Sequence, residues 1–179
     1  MEALIDKIKI SPSLLGKLIE TDISKSTDSE LKSSLEKNGY LFLRNIINQE
    51  EIEIAKNDVF KRLNEVNELK EPYKDGISSG NSNRDEMYNN RGDFWESVSS
   101  IKSLRQVTNG KSLENVFSKI FGSPSTGFDF IFLRAVAGGK FTHMHCDAGF
   151  FTRKTEQVLT CWLVFTEVNL DKGPLFVIE

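Results

Sequence analysis

The period of the apolar pattern changes near residue 125, and this change constrains the fold more than any other feature of the chain. Before it, apolar side chains recur at helical spacing. After it, aromatic and β-branched residues gather in short runs broken by glycine and proline, the pattern of strands and turns. A helical part followed by consecutive strands predicts an α+β domain whose strands curl into a barrel or jelly roll. We expect one domain over residues 1–179, with 1–124 mainly helical and 125–179 supplying the first strands of the core.

In the helical part, Asp28 or Ser29 can cap a helix that carries Leu31 and Leu35 and closes at Asn38-Gly39. Tyr40 to Arg44 reads as a short strand. Asn48 with Glu51 resembles a capping box, and Ile52, Ala55, Val59, Leu63 and Val66 form the inward stripe of a helix reaching Leu69. Glu71 to Asp93 is rich in Gly, Ser and Asn, which predicts a long loop, either a lid or a disordered segment. Two further helices are expected over Phe94–Gln106 and Ser112–Phe121, the second stopped by Gly122.

Beyond Pro124, strands are expected at Phe128–Val136, Lys140–Asp147, Val158–Val168 and from Leu175 to Ile178. Gly138-Gly139 offers a hairpin turn between the first two, and Asn169 to Pro174 a turn before the last.

Charge and length exclude several functions. The chain has 23 Lys and Arg against 26 Asp and Glu, net −3, with no basic stripe, which argues against a nucleic-acid partner. Its longest uncharged apolar run, Gln157 to Thr166, is about half of what a membrane-spanning helix needs, so no membrane partner is expected. The N-terminus alternates charged and apolar residues, unlike a secretory leader, and Cys146 and Cys161 fit no disulfide framework; both point to the cytoplasm.

Both histidines of the chain fall within His143-Met144-His145-Cys146-Asp147. On a strand, residues at i and i+2 share a face, so His143, His145 and Asp147 would face the same way. An imidazole and a carboxylate so placed can share a divalent metal, as two parts of a 2-His-1-carboxylate site for Fe(II); zinc accepts the same donors. A hydrogen-bonded His–Asp pair at a strand end fits the same spacing. His143 is read either as a polar residue lining the barrel near the site or as an additional ligand.

The surrounding residues carry more information than this short motif. Arg134 through Gly138-Gly139-Lys140 to His145-Cys146-Asp147, then Leu159-Thr160-Cys161-Trp162, then Asp171-Lys172-Gly173-Pro174-Leu175, together resemble the phytanoyl-CoA dioxygenase family of Fe(II)/2-oxoglutarate oxygenases. Asn38-Gly39-Tyr40 to Arg44 is similar to that family's opening strand. The resemblance implies a double-stranded β-helix core behind N-terminal helices, and His145 and Asp147 as iron ligands. It further implies 2-oxoglutarate as cosubstrate, with Trp162 lining its pocket and Arg134 near it, and a small-molecule substrate. A core tryptophan and a sheet-edge ion pair explain Trp162 and Arg134 equally well.

The family's pattern continues past Gly-Pro-Leu to a second iron histidine, which these 179 residues do not contain. A truncated piece of a longer enzyme is therefore expected in preference to a degenerate relative, and so are weak iron binding and no turnover by residues 1–179 alone. The alternatives are a non-catalytic β-helix module that binds a ligand or partner, and a zinc hydrolase using His143, His145 and Asp147. The loop Glu71–Asp93 is the candidate substrate lid.

Overall fold

A computed structural model describes residues 3–5, 8–133, 142–151 and 157–178. The chain divides into two compact units, Asn45–Arg134 and Met1–Arg44 with Ala135–Glu179. No helix among the described residues is long and apolar enough to cross a membrane.

The unit Asn45–Arg134 is helical. In the first unit, by chain order, β1 (Ala3–Ile5) and β2 (Ile8–Ile10) precede α1 (Asp28–Asn38); the second begins with α2 (Gln49–Glu65). Asn48 caps α2 by accepting from the Glu50 N–H at 2.8 Å, one residue short of the box its spacing with Glu51 predicts. Ala55, Val59 and Leu63 bury the predicted stripe. The helix ends at Glu65, earlier than Leu69, because Asn67 turns the backbone left-handed (φ 63°). Val66 and Leu69 are buried all the same, as part of the turn that follows.

That turn leads into the predicted long loop, which is closely bonded to the end of α2. Lys70 N–H donates to Ile77 O, Ser79 N–H to Glu68 O and Asn83 N–H to Val66 O, each at 2.8 Å. The serines that make the segment look irregular supply further bonds: Ser79 Oγ donates to Asn67 O and Ser82 Oγ to Glu68, both at 2.6 Å. A 3₁₀ turn at Tyr73–Asp75 closes on Gly76 (φ 66°), and a short helix, α3 (Arg84–Met87), follows.

The helix expected over Phe94–Gln106 is two helices, α4 (Arg91–Ser99) and α5 (Lys102–Thr108). Ile101 is extended between them, and Ser97 and Ser100 bond back to the carbonyls of Phe94 and Glu96, a competition with the helical ladder that favours a break. α5 packs against α2 and against α6 (Lys111–Phe121), which ends at Gly122 (φ 65°) as its sequence predicts. Phe94, Val98, Leu104 and Val107 complete the core with Leu113, Val116 and Ile120.

The strand expected at Phe128–Val136 is absent among its described residues, 128–133. Its carbonyls have other partners: Asn109 Nδ2 donates to Phe128 O at 3.0 Å, and the Arg105 guanidinium donates to Asp129 O. A backbone acceptor engaged by helix side chains is less available to a strand ladder. Phe128, Phe130 and Phe132 are all largely exposed.

In the other unit, β1 and β2 form an antiparallel hairpin with Ala3 opposite Ile10 and Ile5 opposite Ile8. The cap of α1 is Thr27, one residue before the predicted Asp28. Thr27 Oγ1 accepts from the Glu30 N–H at 3.3 Å while the Glu30 carboxylate accepts the Thr27 N–H at 2.8 Å, a full capping box. α1 buries Leu31 and ends at Gly39 (φ 75°). The expected strand Tyr40–Arg44 is reduced to one bridge between Phe42 and Glu20.

Residues 142–147, 158–168 and 175–178, all expected within strands, carry no ladder. The predicted turn at 169–174 is present, a 3₁₀ turn at Leu170–Lys172 closed by Gly173 (φ 72°). Gly138-Gly139, the expected hairpin turn, lies outside the described residues. Among those residues the structure is helix-rich, its regular sheet is the β1–β2 hairpin, and the β-helix core of the expected α+β fold is not formed. A strand needs a second segment in register for its backbone groups, so apolar alternation alone does not make one.

Candidate functional site

The segment from Thr142 to Asp147 is irregular, with bends at Met144 and Asp147, and runs into a single helical turn, α7 (Ala148–Phe151). The Phe150 N–H donates to Asp147 O at 2.9 Å, tying the Asp147 backbone to that turn. The strand register that would put His143, His145 and Asp147 on one face is therefore not the cause of their arrangement.

His145 and Asp147 nevertheless meet. His145 Nε2 stands 3.3 Å from Asp147 Oδ1, and His145 Nδ1 donates to the backbone carbonyl of His143 at 2.7 Å. The two side chains are 47% and 37% exposed, so an ion entering from solvent can reach both. Donors about 2.1 Å from one ion lie about 3.0 Å apart at an octahedral right angle and about 3.4 Å apart at a tetrahedral angle. The 3.3 Å separation falls within that span, and an imidazole nitrogen with a carboxylate is a donor set that Fe(II) and Zn(II) both accept. The residues present fit a divalent metal as two of its ligands. No group of three His, Cys, Asp or Glu side chains suited to a metal occurs among the described residues.

The other predicted residues stand as follows. His143 is exposed and contributes its carbonyl to His145. Trp162 lies in the irregular stretch 157–168 and is 53% exposed. Arg134 lies outside the described residues. Cys146 and Cys161 are free and exposed.

One feature of the same unit was not legible as a site. A groove of about 370 Å³ is lined by Lys17, Leu18, Phe42, Arg44, Leu175 and Phe176, among others. Arg44 lies over the Phe42 ring at 4.6 Å and pairs with Glu20 at 3.2 Å. The Phe42-x-Arg44 spacing was the available signal, and the strand expected there gave it no partner from residues 16–20.

The family model for phytanoyl-CoA dioxygenase (PhyH) matches residues 35–179, a span that includes His145, Asp147 and Trp162. No curated protein and no solved structure matches the chain.

Proposed function

Because the chain belongs to the phytanoyl-CoA dioxygenase family, a family of oxygenases that use Fe(II) and 2-oxoglutarate, we propose that it serves an Fe(II)/2-oxoglutarate-dependent dioxygenase that hydroxylates a small organic substrate. The observation that carries this reading to particular residues is the 3.3 Å approach of His145 Nε2 to Asp147 Oδ1. In it, His145 and Asp147 hold the iron. Iron with 2-oxoglutarate supplies, when bound, the activation of oxygen and the oxidation of a substrate C–H bond.

The protein's part is placement. The His143 carbonyl fixes the plane of the His145 ring, and the bond from Phe150 to Asp147 O steadies the carboxylate's backbone. Asp147 brings the negative charge that a divalent ion needs beside a neutral imidazole. Trp162 is assigned as an apolar wall of the oxoglutarate pocket and Arg134 as a cation near it, both on the strength of the family's motif. The family's cupin-like fold goes with this reading. Its finer form, a double-stranded β-helix, rests on the family's motif alone. A reducing cytoplasm suits both Fe(II) and two free cysteines.

Succinate release by the full-length protein on incubation with Fe(II) and 2-oxoglutarate tests the reading. Release that Asp147→Ala abolishes supports it; release that this substitution leaves unchanged removes the metal assignment. Anaerobic equilibrium dialysis with Fe(II) tests the ligands separately, His145→Ala and Asp147→Asn each lowering affinity by about 10-fold or more.

A further inference from the structure

We propose that residues 70–89 form a strap that opens as one unit while the helical core around α2 and α5 stays folded, and that Arg84 is its latch. Composition leaves this segment open between a lid and a disordered loop. The structure gives it a closed state and a seam along which it parts.

The seam is polar. No residue among 70–89 is fully buried, whereas the helices it lies against bury Ala55, Val59 and Leu63 on α2 and Phe94 and Val98 on α4. Hydrogen bonds close it: the N–H groups of Lys70, Ser79 and Asn83 donate to Ile77 O, Glu68 O and Val66 O. On opening, such groups exchange one partner for water at a small net cost, and a segment that buries little apolar surface opens well below the free energy of global unfolding.

Arg84 supplies what the backbone bonds lack. Its guanidinium pairs with Glu68, just before the strap, and lies 4.4 Å from the Phe94 ring centre and 4.2 Å from that of Trp95, on α4. The Tyr88 ring meets the Phe94 ring edge-on at 5.3 Å. Phe94 is fully buried beneath these two side chains of the strap. The latch also carries a cost, because Arg84 Nε is buried with no acceptor among the described residues. A donor left so weakens the closed state, and opening returns it to water. Opening lifts Arg84 and Tyr88 away and presents the Phe94 and Trp95 rings to solvent as an aromatic floor.

Native-state hydrogen exchange of the full chain tests this, under conditions where the rate reports the opening equilibrium. The amides of Lys70, Ser79 and Asn83 should share one opening free energy with a small denaturant dependence. Those of Val59 and Leu63 in α2 should exchange at least about 10-fold more slowly, with the large dependence of global unfolding. Arg84→Gln should speed the three strap amides by one common factor of about 10 or more. Arg84→Lys keeps the charge beside Glu68 without the flat face, and should give a smaller common factor. Leu104→Ala, in the core of α5, should speed Val59 and Leu63 by about 30-fold or more and leave the strap amides within about 2-fold of wild type, since the open state keeps that core. Val107→Ala makes the same comparison more mildly should Leu104→Ala not fold. Strap amides that exchange with the core's free energy and denaturant dependence, or that accelerate with the core variants, overturn the strap. Strap exchange unchanged in both Arg84 variants overturns the latch.

Discussion

Arg84 pairs with Glu68 across the turn that follows α2, both side chains being 16% exposed, and its guanidinium lies 4.4 Å from the Phe94 ring centre and 4.2 Å from that of Trp95. Arg62 makes a second tie, donating to Tyr88 Oη at 2.7 Å and Ser97 Oγ at 2.9 Å. Together they hold residues 66–90 against α2 and α4. Removing one partner of a mostly buried pair leaves the other charge poorly solvated. Glu68→Ala should therefore destabilise the protein by about 3 kcal/mol in urea unfolding, and Glu68→Leu with Arg84→Met should cost less than the sum of the two single changes.

Gly76 closes the Tyr73–Asp75 turn at φ 66°, and a Cβ there would come within 2.6 Å of the Phe60 ring. Gly76→Ala combines a left-handed backbone with a steric overlap. It should lower stability by roughly 1–3 kcal/mol. Phe60→Leu should recover part of that loss, since it relieves the overlap and leaves the backbone strain; no recovery would mean that strain alone accounts for the effect.

Leu104 is fully buried on α5, the helix that packs on α2. Truncating it removes transfer free energy and leaves a cavity, so Leu104→Ala should cost about 2–5 kcal/mol by denaturant titration. A loss near the upper limit would mean that the surrounding helices do not collapse into the space.

Two carboxylates, Asp22 in the turn that precedes α1 and Glu30 in its first helical turn, hold pKa values below their usual range. The Ser24 hydroxyl and Lys25 side chain bring Asp22 from 3.8 to about 2, and the Thr27 N–H and hydroxyl lower Glu30 from 4.5. A carboxylate whose folded value is depressed adds stability above its unfolded value and loses it as pH falls through the folded one. The first turn of α1 should therefore persist at pH 5 and weaken below about 4.5 as Glu30 is protonated, and the turn at Asp22 should weaken lower, toward pH 2. Thr27→Ala removes the hydroxyl and keeps the Thr27 N–H, so it should raise the Glu30 carboxyl ¹³C titration midpoint only part of the way to its ordinary value; an unchanged midpoint would mean that the hydroxyl does not lower it.

The helical part was largely legible because its signals are local. Gly39 and Gly122 end α1 and α6 where the sequence places them, and the stripe of Ala55, Val59 and Leu63 is the buried face of α2. Several of the errors there involve short polar residues that favour caps and turns. Thr27 takes the cap that Asp28 or Ser29 was expected to supply, Asn67 ends α2 early, and the region of Ser97 and Ser100 divides one expected helix into two.

The sequence by itself determined the helix faces, most of the helix ends and the closeness of His145 to Asp147, since these depend on residue type and on spacings of a few positions. Only the tertiary structure decided the rest. Whether Phe128 and Asp129 enter a ladder depends on Arg105 and Asn109, about 20 residues away, which engage their carbonyls instead. Whether residues 71–93 are a lid or a disordered segment was open to composition; their bonds to Val66, Glu68 and Lys70 come from a turn that brings them back along the end of α2. And the bond from His145 Nδ1 to the His143 carbonyl goes with a bend at Met144, set by backbone torsions that alternating residue types do not specify.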